Sequence, residues 1–302
     1  MVIRYLFAAL VLTSALFAQK DLGRVIPGKP VLRVVAVGDF GSGNVHQVAV
    51  ARAMVRRNQE TPFDLGISLG DNFYRCGVRS AGDPLWKSRW EDLYTPIGVP
   101  FFASLGNHDY GHPPIICPEQ RASPEAEIAY SEHSQSWRMP SRYYTFVAGD
   151  VRFFAIDTEG WSDAQLQWLK SALDKAREEP GIRWRIVYGH HPMYTSGVHL
   201  NQRRIAVLRS ELTPIFKEAH VDLYVAGHDH DMEHLRTGGI EYLICGAGGA
   251  QLRAVRHAQP ESLFHATTFG FLDINIDEHQ LSAAFLDTKL KPLETPEMTI
   301  TK

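Results

Sequence analysis

Residues 31–41 read VLRVVAVGDFG, a run of β-branched and apolar residues that ends abruptly at Gly38 and Asp39. Four later segments repeat this arrangement: LGISLGDNFY at 65–74, PFFASLGNHD at 100–109, RIVYGHH at 185–191 and LYVAGHDH at 223–230. Each begins as a short apolar run, which is typical of a buried strand, and ends in glycine and polar residues. Sites in open α/β sheets form at the carboxyl ends of strands, so the pattern predicts five loops that converge on one site.

The segments between and after these runs predict an α/β fold with mixed sheets. Helices are expected at 49–58, at 85–94, from Ser162 or Asp163 onward, and at 203–219. A hairpin is expected at 143–147 and 151–156, and further strands at 242–244, 270–276 and 281–286. The length of 302 residues fits one large domain of this class or two small ones.

The polar residues at the strand ends are of the types that bind metals. His228 and His230 lie two apart on an extended segment and point to the same side. Asp71 and Tyr74 lie three apart, so a single helical turn would bring them together. Carboxylate, amide, imidazole and phenol donors suit iron, zinc or manganese. A phenol binds as phenolate only to a strong Lewis acid, which favours ferric iron at one position.

In this order, the motifs resemble those of the purple acid phosphatases, a group within the metallophosphoesterase superfamily. The pattern is Asp-x-Gly, Gly-Asp-x-x-Tyr, Gly-Asn-His-Asp, a strand-end His and Gly-His-x-His. The likeness is greatest to the small, tartrate-resistant mammalian type, and it covers the chain from Val31 to Leu286. It implies a four-layer α/β sandwich in which two mixed β-sheets pack face to face and are flanked by helices.

The resemblance also implies a dinuclear centre of ferric iron and a divalent ion, which is iron, zinc or manganese. The expected ligands are Asp39, Tyr74 and His230 for the ferric ion, Asn107, His190 and His228 for the divalent ion, and Asp71 as the bridge. His108, oriented by Asp109, and His199 would hold the phosphate or protonate the leaving oxygen. His191 is expected to pack behind a ligand.

The activity that the resemblance implies is hydrolysis of small phosphate monoesters to inorganic phosphate and an alcohol at acidic pH. Two alternatives stay open: a phosphodiesterase or nucleotide hydrolase on the same site, and a redox-active iron protein that generates reactive oxygen species. A long loop of the mammalian type is missing, because residues 157–161 run straight into the helix near Ser162. Activation by loop cleavage is therefore not expected, and the site should be open.

Residues 1–18 predict a secretory signal peptide, because Arg4 precedes an apolar run that is shorter than a membrane span. We therefore expect a secreted or periplasmic protein with no membrane anchor after signal removal. Residues 19–30 are expected to be a linker, and 31–302 a single catalytic domain that acts as a monomer. The net charge of -3 gives no indication of a basic footprint, so no nucleic-acid partner is expected.

The three cysteines fall into two groups. Cys76 and Cys117 each follow a metal-site motif closely, so a disulfide between them is one option in an oxidising compartment. Spacing alone leaves that pairing open. Cys245 lies in an apolar run and is expected to be a buried thiol.

Overall fold

The computed structural model describes residues 19–112, 117, 122–294 and 297–302. The predicted signal peptide, residues 1–18, lies outside the described residues. Among the described residues, none of the helices combines the length and apolarity that a transmembrane segment needs.

The first sheet is mixed and has its parallel strands at the centre. In spatial order it contains β1 (Gln19–Ile26), β6 (Tyr143–Ala148), β7 (Val151–Ala155), β8 (Trp184–Tyr188), β9 (Leu223–Ala226), β11 (Ile240–Cys245), β10 (Met232–Thr237) and β12 (Ser262–Ala266). β7, β8, β9 and β11 run parallel, so β8 and β9 end at the same edge of the sheet.

The second sheet joins three parallel strand pairs to an antiparallel half. In spatial order it contains β15 (Met298–Thr301), β14 (Gln280–Asp287), β13 (Gly270–Asp277), β2 (Val31–Val37), β3 (Leu65–Ser68), β4 (Phe101–Ala103) and β5 (Trp137–Arg138). β2, β3 and β4 are parallel neighbours. Strands buried on both faces carry continuous apolar runs, which explains why the predicted strands coincide with these elements.

Helices cover the outer faces of both sheets. They are α1 (Val45–Glu60), α2 (Asp92–Tyr94), α3 (Pro124–Tyr130), α4 (Asp163–Glu178) and α5 (Arg203–Glu218), and a π-helical turn, Trp86–Glu91, leads into α2. Ser162 caps the start of α4, because its hydroxyl accepts from the Gln165 amide. α4 and α5 bury leucines such as Leu169 and Leu208 against the first sheet.

The two sheets face each other across the main core. Phe102 of β4 stacks on Phe146 of β6 with ring centroids 4.0 Å apart. The preceding residue, Phe101, points the other way and packs against Trp90, at 5.2 Å, beneath the outer helices. The order helices, sheet, sheet, helices is the four-layer sandwich that the resemblance implied, so that prediction is confirmed.

The linker predicted for residues 19–30 is wrong over its first part. Gln19–Ile26 forms β1, which pairs in parallel with β6 at the edge of the first sheet. Most side chains of β1 are exposed, and Gly23 adopts a positive φ of 62°. The strand is held by main-chain pairing with β6, so no apolar pattern in the sequence marks it.

Candidate metal centre and active site

All five predicted motifs reach one end of the sandwich. Asp39, Asp71 and Asn107 follow β2, β3 and β4 of the second sheet, while His190 and His228 follow β8 and β9 of the first. A backbone hydrogen bond of 2.9 Å from the Gly38 amide to the Cys245 carbonyl ties the two sheets together at this end. Parallel strands thus deliver donors from both sheets to one place.

The first set of donors surrounds the phenol oxygen of Tyr74. That oxygen lies 2.9 Å from Oδ1 of Asp39, 2.8 Å from Oδ2 of Asp71 and 3.1 Å from Nε2 of His230. His230 Nε2 is also 3.3 Å from Oδ1 of Asp39. Two carboxylates, a phenol and an imidazole therefore point at one small volume.

The second set adjoins the first through Asp71. Nε2 of His190 lies 3.4 Å from Oδ1 of Asp71, 3.0 Å from Oδ1 of Asn107 and 3.1 Å from Nδ1 of His228. Asp71 is the one predicted ligand whose oxygens face both sets. The structure brings all seven predicted ligands together, and their individual coordination roles stay a prediction.

Each of the three histidines has its second ring nitrogen occupied by an acceptor. His190 Nδ1 donates to the Leu69 carbonyl at 2.9 Å, and His230 Nδ1 donates to the Gln251 carbonyl at 2.7 Å. His228 Nε2 donates to the side-chain oxygen of Gln202 at 2.9 Å. In the neutral form of each ring the other nitrogen then carries no proton and faces the donor cluster, as a metal ligand requires.

The backbone of the site is held in conformations that most residues avoid. Asp39, Asp71 and His228 have φ values of 56°, 53° and 70°. Strained conformations of this kind persist where the surroundings over-determine them, and they cluster at functional sites. The glycines of the motifs allow this crowding: a Cβ on Gly227 would lie 2.4 Å from Oδ2 of Asp39.

The charges of the cluster suit a cation. Burial and the carboxylates of Asp39 and Asp71 raise the pKa of Tyr74 well above its usual value. Burial opposes ionisation of Asp71, but the nearby imidazoles of His190 and His108 hold its pKa below the usual range. Buried acidic oxygens this close together repel one another unless positive charge lies between them, so the donor set fits a pair of metal ions.

The family profile of calcineurin-like phosphoesterases matches residues 32–232, which span all five motifs. The chain belongs to this family. Its fold and its donor clusters are those of a phosphoesterase, an enzyme that hydrolyses phosphate esters at a dinuclear metal centre.

Individual relatives agree with this assignment. The phosphoesterase is 28% identical to purple acid phosphatase 3 of Arabidopsis thaliana over 94% of its own chain and 82% of that protein. It is 29% identical to the mouse (Mus musculus) tartrate-resistant acid phosphatase type 5 over 90% of its chain and 86% of the relative. Among solved structures, GAP50, the anchor in the inner membrane complex of Plasmodium, superposes with a TM-score of 0.79 at 26% identity, covering 91% of this chain and 90% of that one. The predicted resemblance to purple acid phosphatases is thus confirmed.

His108 lies at the mouth of the phosphoesterase site, where its ring centroid is 4.3 Å from that of Tyr74. Its Nδ1 contacts the Arg75 carbonyl, and its Nε2 is 4.0 Å from Oδ2 of Asp71. The predicted orientation of His108 by Asp109 is wrong. Asp109 is fully buried and accepts from backbone amides of both adjoining loops, including Gly106 at 2.8 Å and Asn72 at 2.9 Å. It holds the loops that carry the ligands, because these amides have no partner in a sheet.

His199, in contrast, does have an orienting carboxylate. Its Nδ1 lies 2.8 Å from Oδ1 of Asp229, whose other oxygen accepts from the Thr195 hydroxyl at 2.6 Å. The ring of His199 packs on that of His228 with centroids 4.1 Å apart. Asp229 lies between the two histidines of the Gly-His-Asp-His motif, at a position where the family pattern specifies no residue type. The signal that was missed is a buried acid between two ligands.

Beside the metal ligands, a cleft of about 900 Å³ opens to solvent. Arginines line it, and they are Arg75, Arg89, Arg204 and Arg253. Glu159, the one acid that lines it among the described residues, pairs with Arg204 at 3.3 Å and with His112 at 2.8 Å. The cleft therefore carries excess positive charge before any metal is counted, which suits an anionic substrate.

His191 takes the supporting place expected for it. It is 3% exposed, its Nδ1 bonds the Thr158 hydroxyl at 2.8 Å, and its ring packs on His228 at 4.2 Å. Burial and the neighbouring positive groups lower its pKa well below the usual value. A neutral, buried ring of this kind fixes the position of the ligand behind which it packs.

The disulfide that spacing left open is present, and it joins Cys76 to Cys117. Cys76 follows Tyr74 of the first donor set, and Cys117 follows Asn107 of the second by ten residues. The cross-link therefore ties together the two loops that supply one ligand to each set. Cys245 is a buried free thiol, as predicted.

Proposed function

We propose that this phosphoesterase hydrolyses phosphate monoesters to inorganic phosphate and an alcohol, at acidic pH, with ferric iron and a divalent ion as its metal pair. The divalent ion is iron, zinc or manganese. The observation that carries this proposal is the contact of the Tyr74 phenol with Asp39, Asp71 and His230. Three acidic donors around one position favour a trivalent ion, while amide and imidazole donors at the other suit a divalent one.

When bound, the two cations supply Lewis-acid chemistry, namely neutralisation of charge on phosphoryl oxygens and acidification of water, which ferric iron provides even at acidic pH. The side chains of the protein position the metals and the substrate and transfer protons. Asp71 holds the two halves of the site together, and Asp109 holds the loops that carry Asp71 and Asn107. His108 presents Nε2 to the cleft, where it donates a proton to the leaving oxygen or binds a phosphoryl oxygen. His199 faces the same space, oriented by Asp229.

The expected substrates are small phosphorylated compounds. The cleft is open, and α4 begins at Asp163, directly after the short segment in which the mammalian type carries its long loop. No cleavage step is needed to expose such a site. We also propose that the enzyme acts as a monomer, is exported by its signal peptide to the periplasm or the medium, and keeps no membrane anchor.

The fold by itself does not decide the function, since one similar structure is named for an anchoring role. The complete donor set favours catalysis. Three of its ligands have a strained backbone beside buried acidic oxygens, and a protein that served only as a binding module would not need to maintain that strain. A phosphodiesterase would use the same donors, so substrate comparison is part of the test.

The experiment is a metal analysis combined with turnover of aryl esters. Purified protein should contain two metal ions per chain, one of them iron, and absorb visible light through tyrosinate-to-iron charge transfer. It should release phosphate from p-nitrophenyl phosphate faster than it cleaves bis-p-nitrophenyl phosphate. Faster diester cleavage would favour the phosphodiesterase, and peroxide-dependent oxidation without phosphate release would favour the redox protein.

A further inference from the structure

Arg253 is a positive side chain placed directly beside the predicted ligands. Its backbone amide donates to the His230 carbonyl at 3.0 Å, which fixes the start of the side chain next to the first donor set. Its guanidinium Nη1 lies 2.8 Å from Nε2 of His199, whose ring packs on His228 of the second set. The side chain therefore extends along the cleft from one half of the site to the other.

His199 serves as the support of this guanidinium. Its Nδ1 faces the Asp229 carboxylate and carries the ring proton, so its Nε2 can accept from Arg253. The Asp229 carboxylate is itself fully buried and fixed by Thr195. The chain Asp229, His199, Arg253 thus holds a half-buried cation in one orientation, with N–H groups left over for a ligand.

The other arginines of the cleft are either engaged or more exposed. Arg204 pairs with Glu159, and Arg89 donates to the Gly41 and Tyr74 carbonyls. Arg75 is exposed, where solvent and salt screen its charge. Arg253 forms no salt bridge with any carboxylate in the described part of the chain. Arg253 is therefore held in one orientation at the metal site, and its positive charge is not neutralised by a carboxylate of the described residues.

We propose that Arg253 is a specificity-determining residue that binds the phosphoryl group and makes the site prefer monoesters to diesters. This inference rests on the proposed hydrolytic function. A monoester is a dianion and keeps one more charged oxygen than a diester after two oxygens face the metals. A fixed guanidinium stabilises that extra charge by a charge-assisted hydrogen bond, and it gains much less from the monoanionic diester.

The test compares Arg253→Gln with the wild-type protein on two esters. We expect the ratio of kcat/KM for p-nitrophenyl phosphate to that for bis-p-nitrophenyl phosphate to fall about tenfold, the value of one charge-assisted hydrogen bond. Inorganic phosphate, as a competitive inhibitor, should bind about tenfold more weakly. Arg253→Lys keeps the charge, so it should retain more of the monoester preference and more of the phosphate affinity than Arg253→Gln.

Arg256→Gln is the matched control, since Arg256 is exposed in the same loop and does not line the cleft. It should leave the ratio and the phosphate inhibition unchanged. Damage to the metal centre would lower kcat/KM for both esters together and would change the metal content. These two signs distinguish it from a loss of selectivity. An unchanged ratio with unchanged phosphate binding in Arg253→Gln would overturn the inference. If the wild-type protein cleaves neither ester, the proposed function fails, and calorimetric binding of inorganic phosphate to metal-loaded protein still tests Arg253.

Discussion

The two halves of the donor cluster differ in charge although they share Asp71. The first half supplies a carboxylate from Asp39, a phenol from Tyr74 and one imidazole, all in mutual contact. The second half supplies only neutral donors, which are Asn107, His190 and His228. The halves are built on both sheets, so this asymmetry does not follow from the layers of the fold. The asymmetry supports the proposal that the first half binds a more highly charged cation than the second.

The halves also differ in how their histidines are held. Backbone carbonyls fix His230 and His190, and no side-chain substitution removes a carbonyl. His228 depends on the side chain of Gln202, which lies just before α5. The second half is therefore the one whose metal affinity a point substitution can adjust without touching a ligand.

The largest effect is expected from Asp71→Ala, which breaks both halves at once. Several kcal/mol of charge stabilisation are lost with the metals, so kcat/KM for p-nitrophenyl phosphate should fall at least about 1,000-fold. Metal analysis should find both ions depleted. Asp174→Ala, on the exposed face of α4, is the control and should match the wild type. Near-normal turnover in Asp71→Ala would refute the shared-ligand assignment.

Asn107→Ala should separate the halves. It removes a neutral donor from the second half alone, so we expect about a 100-fold loss of kcat/KM through a weakly held divalent ion. Iron content and the visible absorption band should remain, because Tyr74 and its neighbours are untouched. Disappearance of the band together with the activity would mean that the two halves do not bind metal independently.

Tyr74→Phe tests the first half of the cluster alone. Loss of the phenol oxygen removes one acidic donor from the first half, so the visible band should vanish while the divalent ion stays bound. Activity should fall less than in Asn107→Ala, by about tenfold, since Asp39, Asp71 and His230 still hold a cation. A visible absorption spectrum and a metal analysis of the same sample test this prediction. A band that survived in Tyr74→Phe would assign the colour to another group.

The smallest effect is expected from Gln202→Ala. The variant leaves every ligand in place but frees Nε2 of His228, so affinity for the divalent ion should fall about tenfold. Titrating activity with zinc or manganese measures this, and iron content should not change. Asn201→Ala, an exposed neighbour, provides the control. Equal loss of both metals would contradict the idea that Gln202 serves only the second half.

Much of the site was predictable from sequence because each ligand directly follows an apolar strand. The rule that parallel strands end at one edge is enough to bring Asp39, Asp71 and Asn107 together. The supporting groups are different. Asp229 meets His199 across thirty residues, and Arg253 meets it across fifty-four. Such pairings depend on the path of loops, for which no periodicity exists, and this is why the role of Asp109 was misassigned.

Two of the strands that the sequence does not predict, β10 and β1, share a related cause. β10 carries Glu233 and His234 in buried positions, where His234 bonds Glu241 at 2.8 Å. A polar strand that is buried through side-chain pairing does not read as an apolar run. β1 is missed for the opposite reason, because its side chains face solvent. In both cases the strand is determined by a partner that is distant in sequence.

The cross-link between Cys76 and Cys117 has a consequence for where the enzyme can be made. It closes a loop of 41 residues that carries Asn107 and ends beside Tyr74, so it restricts the unfolded chain and helps to align the two halves. Thiols stay reduced in the cytosol, and a chain synthesised there would begin metal loading without this constraint. Formation of this cross-link therefore calls for an oxidising folding compartment, and a recombinant host that provides one is the appropriate source of active protein.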